Sequence, residues 1–304
     1  MRTLAVVIGL LIALVGRPPA ALAQAEPPVG VRAAGMGGAF VGVADDASAV
    51  YWNPAGLASG AFFGLVLDRS SFKTGDGDNA PDSSALLLAA GSPPLGATYY
   101  RLAFPVAATG TGAGDRNTVG FTLVTNQFGV TLDQSLRDGL AVGVTVKGVH
   151  ATTEVGSRTA LDADIGLMFS GSVGRAGVAV RNAFEPDFTT PIGIVRLQRR
   201  VRAGGSLLLR QMVRVAGDVD ITTADTPLGP WRDAAVGAEA HPLTRAWMRG
   251  GVHWNTAGGA LRNAPILSVG GSGVVYGSLM VDAQVSFGSE NGNRGWGAGL
   301  RYNF

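Results

Sequence analysis

Residues 296–304 read Trp-Gly-Ala-Gly-Leu-Arg-Tyr-Asn-Phe. In an extended chain successive side chains point to opposite faces, so Trp296, Ala298, Leu300, Tyr302 and Phe304 share one face and Gly297, Gly299, Arg301 and Asn303 the other. One face is apolar and ends on a terminal aromatic ring. A soluble sheet gains nothing from finishing this way. A sheet inside a membrane does, because it must close on itself where no water satisfies an open edge.

The same period of two recurs upstream. Leu161, Ala163, Ile165, Leu167 and Phe169 oppose Asp162, Asp164, Gly166 and Met168. Val213, Val215, Gly217, Val219 and Ile221 oppose Arg214, Ala216, Asp218 and Asp220; Leu279, Val281, Ala283, Val285 and Phe287 oppose Met280, Asp282, Gln284 and Ser286. Alternation alone also describes a soluble β-sandwich with its apolar face inward. Three features favour the membrane barrel: an export leader, segments about ten residues long, and the aromatic final residue.

Composition agrees. The chain has 304 residues, 46 of them Gly, with 46% apolar and only 15% charged residues; ordinary soluble domains carry about 25% charge and about 7% Gly. Uncharged runs at Ser83 to Tyr100 and Ala264 to Val281 are the best candidates for membrane helices. Pro93, Pro94, Gly91 and Gly96 interrupt the first. Pro265 and the glycines at 270, 271, 273 and 277 interrupt the second, so each reads as two strands joined by a turn.

Leu4 to Val15 form an apolar run after Arg2, followed by Pro18, Pro19 and the small-residue triplet Ala21-Leu22-Ala23. This pattern predicts a signal peptide over residues 1–23, cut before Gln24. The leader contains Arg2 and Arg17 and no acid, so the 24 Lys and Arg fall to 22 in the mature chain, against 22 Asp and Glu. That balance gives no basis for a nucleic-acid partner. With no Cys there is no disulfide, thiolate metal site or acylated cysteine.

Alternation begins near Ala61. Allowing about 240 residues at about 17 per strand with its share of loop, the sequence predicts an all-β, antiparallel transmembrane barrel of about 14 strands over residues 61–304. Residues 24–60 are different: Gly- and Ala-rich, without strand alternation. Glycine there permits tight turns and close backbone approach. Asp45, Asp46, Ser48 and Asn53 can cap short helices or accept from backbone N–H groups. The acids can also pair with arginines of the barrel wall, since Arg supplies 22 of the 24 basic residues. These properties suit a plug in the lumen.

The segment Val31 to Gly60 carries Arg32, Gly35-Met36-Gly37-Gly38-Ala39-Phe40, Ala44-Asp45-Asp46-Ala47-Ser48-Ala49 and Asn53-Pro54-Ala55-Gly56-Leu57. Taken together these resemble the N-terminal signature of PorV/PorQ-like outer-membrane proteins, within the wider FadL/TodX barrel superfamily. The rest of the chain is similar in texture only. The resemblance implies a 14-stranded barrel in the outer membrane of a Gram-negative type envelope, with an N-terminal hatch in or across the lumen. In the FadL branch such barrels pass hydrophobic molecules such as long-chain fatty acids; in the PorV branch they serve protein secretion. The closing residues Trp296, Leu300, Tyr302 and Phe304 resemble the signal read by outer-membrane insertion machinery.

Other readings of these residues are weaker. Gly35-Met36-Gly37-Gly38 has the wrong spacing for a dinucleotide loop and no strand before it. Asp45 and Asp46 read as capping and plug residues rather than a catalytic pair or calcium site. His150, His241 and His253 show no zinc-ligand spacing. Arg196, Arg199, Arg200 and Arg202 read as a loop leading into a strand with lumenal arginines, rather than a phosphate site. Trp231, Trp247, Trp254 and Trp296 suit interfacial girdles in part, whereas Trp52 lies in the plug motif and packs inside. The sequence thus predicts a non-enzymatic conduit for small hydrophobic compounds, without metal or cofactor; the alternative is an accessory barrel for protein secretion or surface attachment. Its implied partners are outer-membrane lipid, the assembly machinery, and a hydrophobic small molecule or a secreted protein cargo.

Overall fold

The computed structural model describes residues 29–74, 82–109, 118–137, 139–153, 155–190, 193–226, 229–258, 265–288 and 293–304. The leader predicted over residues 1–23 lies outside them.

Fourteen antiparallel strands close into a single barrel. They are β1 (Gly64–Lys73), β2 (Asp82–Ser92), β3 (Leu95–Thr109), β4 (Thr118–Arg137), β5 (Leu140–Thr153), β6 (Gly156–Ser170), β7 (Gly174–Arg181), β10 (Arg200–Leu209), β11 (Val213–Asp220), β14 (Asp233–Leu243), β15 (Ala246–Asn255), β16 (Ile266–Tyr276), β17 (Leu279–Gly288) and β18 (Arg294–Asn303). Two small hairpins stand outside the ring: β8 (Asp187–Thr190) with β9 (Gly193–Arg196), and β12 (Ala224–Thr226) with β13 (Gly229–Trp231). The last strand closes on the first, with Gly64 opposite Asn303 and Lys73 opposite Arg294. Phe304 continues the seam: its N–H donates to the Phe63 carbonyl at 2.8 Å and its carbonyl accepts from Phe63 N–H at 3.1 Å.

The direction of the apolar face decides between sandwich and barrel. Phe128, Val130 and Leu132 of β4 are about 60% exposed (62%, 58% and 61%), and Val215, Val219, Val281, Val285, Phe287, Trp296 and Leu300 are exposed too. On the opposite faces Asp162, Asp164, Asp218, Asp282 and Arg301 are buried. A sheet with its hydrocarbon side outward and its ionic side inward suits a lipid exterior and inverts the order of a soluble core. The two uncharged runs are hairpins: β2 and β3 flank Pro93-Pro94, and β16 and β17 flank residues 277–278.

The two rims differ. At one, β2–β3, β4–β5, β6–β7, β10–β11, β14–β15 and β16–β17 are joined by short turns. The other carries most of the longer connections, including both accessory hairpins.

The chain before β1 runs inside the ring. It forms α1 (Val31–Gly35), α2 (Ala49–Trp52) and a 3-10 turn (Pro54–Ser59). Apart from Asp45, every residue from Val29 to Leu57 is buried. Such short helices have little stability of their own, so the surrounding wall holds them. The wall admits them because its inward positions at that level are glycines. A Cβ on Gly177 would come within 2.6 Å of the Asn53 side chain, one on Gly143 within 2.6 Å of the Pro54 carbonyl, and one on Gly251 within 2.5 Å of the Gly37 amide nitrogen. Gly270 meets Gly35 and Gly297 meets Val31. Gly37 itself has a φ of 66° and lies against the backbone of Val252, so both its conformation and its clearance require glycine.

Candidate functional site

The lumenal segment is fastened to the wall by a closed ring of charges. Arg32 of α1 forks onto Glu239 of β14, with Nε and Nη2 donating at 2.9 and 2.7 Å. Glu239 also accepts from Arg249 at 2.6 Å, Arg249 reaches Asp282 at 3.2 Å, and Asp282 accepts from Arg301 at 3.1 Å. Arg301 approaches Asp46 at 3.7 Å, and Asp46 returns the ring to Arg32 at 2.9 Å. Three arginines and three carboxylates alternate, so the ring is neutral. Removing one partner from a buried pair of this kind strands the other charge, typically at about 3 to 5 kcal/mol.

Asp45 stands beside this ring. It accepts from Arg32 at 2.6 Å and from Arg214 at 2.7 Å, and Arg175 lies 3.5 Å away. Burial opposes ionisation of Asp45, but the guanidiniums of Arg32, Arg214 and Arg175 outweigh it and hold the carboxyl at about 2. The same carboxylates keep Arg32 charged against its own burial. Because the folded value of Asp45 lies below the ordinary 3.8, its contribution to seating the segment is fully present above 3.8 and is lost as pH falls through about 2. Single-barrel conductance titrated from neutral pH to pH 2 should therefore show acid-induced opening that Asp45→Asn alters, the variant being already loosened at neutral pH. Superimposable titrations would remove Asp45 from the latch.

Wall carboxylates also grip the segment's backbone. Asp68 accepts from Val31 N–H at 2.8 Å, and one oxygen of Asp218 accepts from both Phe40 and Val41 N–H at 2.7 and 2.8 Å. These groups would otherwise be orphaned in an irregular buried chain. Asn53 accepts from Ala55 N–H at 3.2 Å, which caps the 3-10 turn, and donates to the carbonyls of Val41 at 3.2 Å and Leu167 at 3.1 Å. Pro54 opens the turn, where its missing N–H costs nothing. Gly56 abuts the Ala44 carbonyl. Met36 is buried against Gly237 and Gly251, and the Gly38 carbonyl accepts from Arg202 at 3.1 Å. Ser48 donates from N–H and Oγ to Asp46.

Towards the rim with the longer connections the lumen divides into two unlike walls. On β2 to β5 the inward residues Leu87, Leu102, Phe104, Leu123, Val149 and Ala151 are buried and apolar, with Thr125 and Gln127 interleaved among them. Phe188 of β8, Val195 of β9 and Leu197 belong to the same apolar cluster, with β8 packed on β5. On the opposite side Arg202 pairs with Asp218, Asp220 and Asp233, and Arg200 with Asp220. At the foot of the apolar wall Lys147 is fully buried, 2.8 Å from Asp164 and 3.4 Å from Asp162, and donates to Asn182 at 2.9 Å. Those two aspartates also accept from the N–H groups of Asn182 and Phe184, where the chain leaves β7.

The residues singled out in the N-terminal motif thus meet the wall together, while Trp296, Leu300, Tyr302 and Phe304 lie apart in the closing strand. Arg199 pairs with Glu185, whereas Arg200 and Arg202 share Asp220, so Arg199 stands apart from the other two. Trp52 is buried and donates to the Val29 carbonyl at 2.8 Å. Trp247 shares the inward face of β15 with Arg249, unlike a girdle residue. His150 meets Thr159, His241 the Gln211 carbonyl, and His253 faces Asp233. Sequence reading placed Arg214, Asp218, Asp282 and Arg301 on the polar faces of their strands but could not pair them. Glu239, Arg249, Arg175 and Lys147 carried no local signal.

No protein-family profile and no curated protein sequence matches the chain. Among solved structures, the fold is similar to the Ralstonia pickettii toluene transporter TbuX, with 14% identity, a TM-score of 0.63, and coverage of 90% of this chain and 98% of that one. It is similar to the monoaromatic hydrocarbon channel CymD, with 13% identity, a TM-score of 0.67, and coverage of 92% and 99%. A Pseudomonas aeruginosa FadL homologue aligns at 12% identity and a TM-score of 0.66 over 94% and 100%. At these identities the likeness is one of fold.

Proposed function

We propose that this chain is an outer-membrane barrel that passes small hydrophobic compounds passively, with residues 29–60 as its plug. The apolar inner wall carries the reading. A water-filled pore has a polar interior, whereas here Leu87, Leu102, Phe104, Leu123, Val149 and Ala151 line one side of the lumen with hydrocarbon. Such a wall would give an apolar solute a favourable surface inside the barrel once the residues now packed on it draw back. The outward apolar faces support residence in a lipid bilayer, and by the usual arrangement of such barrels the short turns face the periplasm and the longer connections the exterior. A compound would enter under the β8–β9 hairpin, follow the apolar wall and pass the plug as it shifts. The similar folds named for toluene and monoaromatic hydrocarbons support the class of solute without fixing its identity. The fatty-acid-like solutes of the FadL branch remain within it.

Uptake by a Gram-negative host lacking its own hydrophobic-compound porins tests this. Labelled toluene, an alkane and a long-chain fatty acid should each be compared with the empty vector. Expression should raise uptake of at least one several-fold, and Leu102→Glu, which places a charge in the apolar wall, should return it to the background. Background uptake of all three by correctly inserted protein would overturn the reading. The PorV-like alternative, an accessory barrel for secretion, draws on the wording of residues 31–60. Retention of a secreted protein on the purified barrel, with no solute uptake, would favour it.

A further inference from the structure

Across the outer surface of β1, β2, β3 and β4 the register sets Arg69, Leu86, Arg101 and Asn126 side by side in one row. The next outward row towards the short turns is Leu67, Leu88, Tyr99 and Phe128. Arg69 and Arg101 are exposed on this lipid-facing side. The arginines of the lumen meet carboxylates, whereas Arg69 and Arg101 make no hydrogen bond or ion pair with the described residues. Asn126 accepts from the Tyr99 hydroxyl at 2.9 Å, which leaves its Nδ2 to donate. Nearer the rim with the longer connections, Lys73 faces Arg294 across the closing seam. Among the described residues the outward faces of β1 to β4 and of β18 hold one carboxylate, Asp82, and it accepts from Ser71 Oγ at 2.6 Å.

We propose that this outer face binds a bisphosphorylated membrane glycolipid of the lipid A kind, with its phosphates on Arg69 and Arg101 and its acyl chains along Leu67, Leu88, Tyr99 and Phe128. The polar groups of the row are two cations and an amide donor, so the row calls for a negatively charged acceptor, and a guanidinium fork suits phosphate. A charged side chain facing lipid is costly at the bilayer midplane and far less so near the interface. With a rise of about 3.3 Å per residue and a tilt of about 40°, Arg101, six residues beyond Leu95, stands about 15 Å above the short-turn end of an apolar band about 25 Å tall. Its long stem lets the guanidinium reach towards the far edge of that band, where headgroups begin. One strand separates the two arginines, which sets their backbones about 10 Å apart. A disaccharide with a phosphate at each end suits that spacing better than a single phosphate does. The leaflet beside the longer connections is the external one in the reading above, and such glycolipids belong to that leaflet. The proposal rests on the membrane-barrel part of that reading and not on what the barrel passes, so solute uptake and lipid retention fail independently.

The test places the full barrel in phosphatidylcholine nanodiscs doped equally with bisphosphoryl lipid A, monophosphoryl lipid A and phosphatidylglycerol, and reads the lipids it retains in mild detergent by native mass spectrometry. One bisphosphoryl lipid A per barrel should remain, favoured about tenfold or more over each of the other lipids. The double variant Arg69→Gln with Arg101→Gln should lose that preference and retain no more lipid A than phosphatidylglycerol. Both side chains point away from the plug, so the variant should stay heat-modifiable. Arg210→Gln, in the short turn between β10 and β11 on the opposite rim, should retain lipid A as the parent does. Should the double variant fail to insert, Arg101→Gln alone decides: with one cation of the pair removed, the bisphosphoryl form should lose its advantage over the monophosphoryl one. Monophosphoryl lipid A or phosphatidylglycerol held as tightly as bisphosphoryl lipid A by the parent barrel, or an undiminished preference in the arginine variants, would overturn the proposal. So would a lipid-free dimer that the double variant abolishes, which would assign the face to a second copy of the chain.

Discussion

Deleting Arg32 to Leu57 should leave a barrel that still inserts and conducts ions freely. The outward faces, the β1–β18 seam and the closing strand all lie outside the deletion. The deleted residues are the ones that fill the lumen, every one of them buried except Asp45. Barrels of eight strands fill with their own side chains, whereas those of sixteen to eighteen hold an aqueous channel; an emptied ring of fourteen falls nearer the second case. The wall carboxylates Asp68, Asp218 and Glu239 would then face water, which solvates them without their present partners. Planar-bilayer conductance should rise on the order of tenfold or more over the intact chain. A heat-modifiable deletion variant that stays as closed as the intact protein would mean the segment does not block the lumen.

Gly251→Leu should open the barrel nearly as far with a single residue. Its Cβ would overlap the Met36 carbonyl and come within 2.5 Å of the Gly37 amide nitrogen, and these are backbone atoms with no rotamer to escape into. Overpacking typically costs about 1 to 3 kcal/mol when side chains can yield. Here the segment itself must withdraw, which pulls Arg32 from Glu239, 207 positions away in sequence. The control is Gly148→Leu: this glycine of β5 has nothing within 4 Å of a built Cβ, and it alternates with the buried Lys147 and Val149, so its face is the outward one. Conductance and gel mobility of unheated samples should separate the two, with the first variant folded but open and the second folded and closed. Equal, closed conductance from both would show that the glycines are not clearance for the plug.

The barrel was legible in the sequence because its physics is local. A strand alternates with period two whatever its neighbours do, so the faces at 161–169, 213–221, 279–287 and 296–304 were readable. The absence of that alternation before Ala61 marked the segment that runs inside. Which carboxylate meets which guanidinium was not legible, because ion pairs such as Arg32 with Glu239 and Asp45 with Arg214 are set by the curvature and register of the closed sheet. The glycines show the same division. Gly270 breaks up a hydropathic run and so argued for strands rather than a membrane helix, but only the packed structure shows it making room for Gly35. The sequence by itself determined the alternation and the apolar side of those four strands, which are properties of one strand. The tertiary structure alone decided the charge ring, the glycine clearance and the apolar half of the lumen, because each arises only when residues far apart in the chain are brought to one level of a closed barrel.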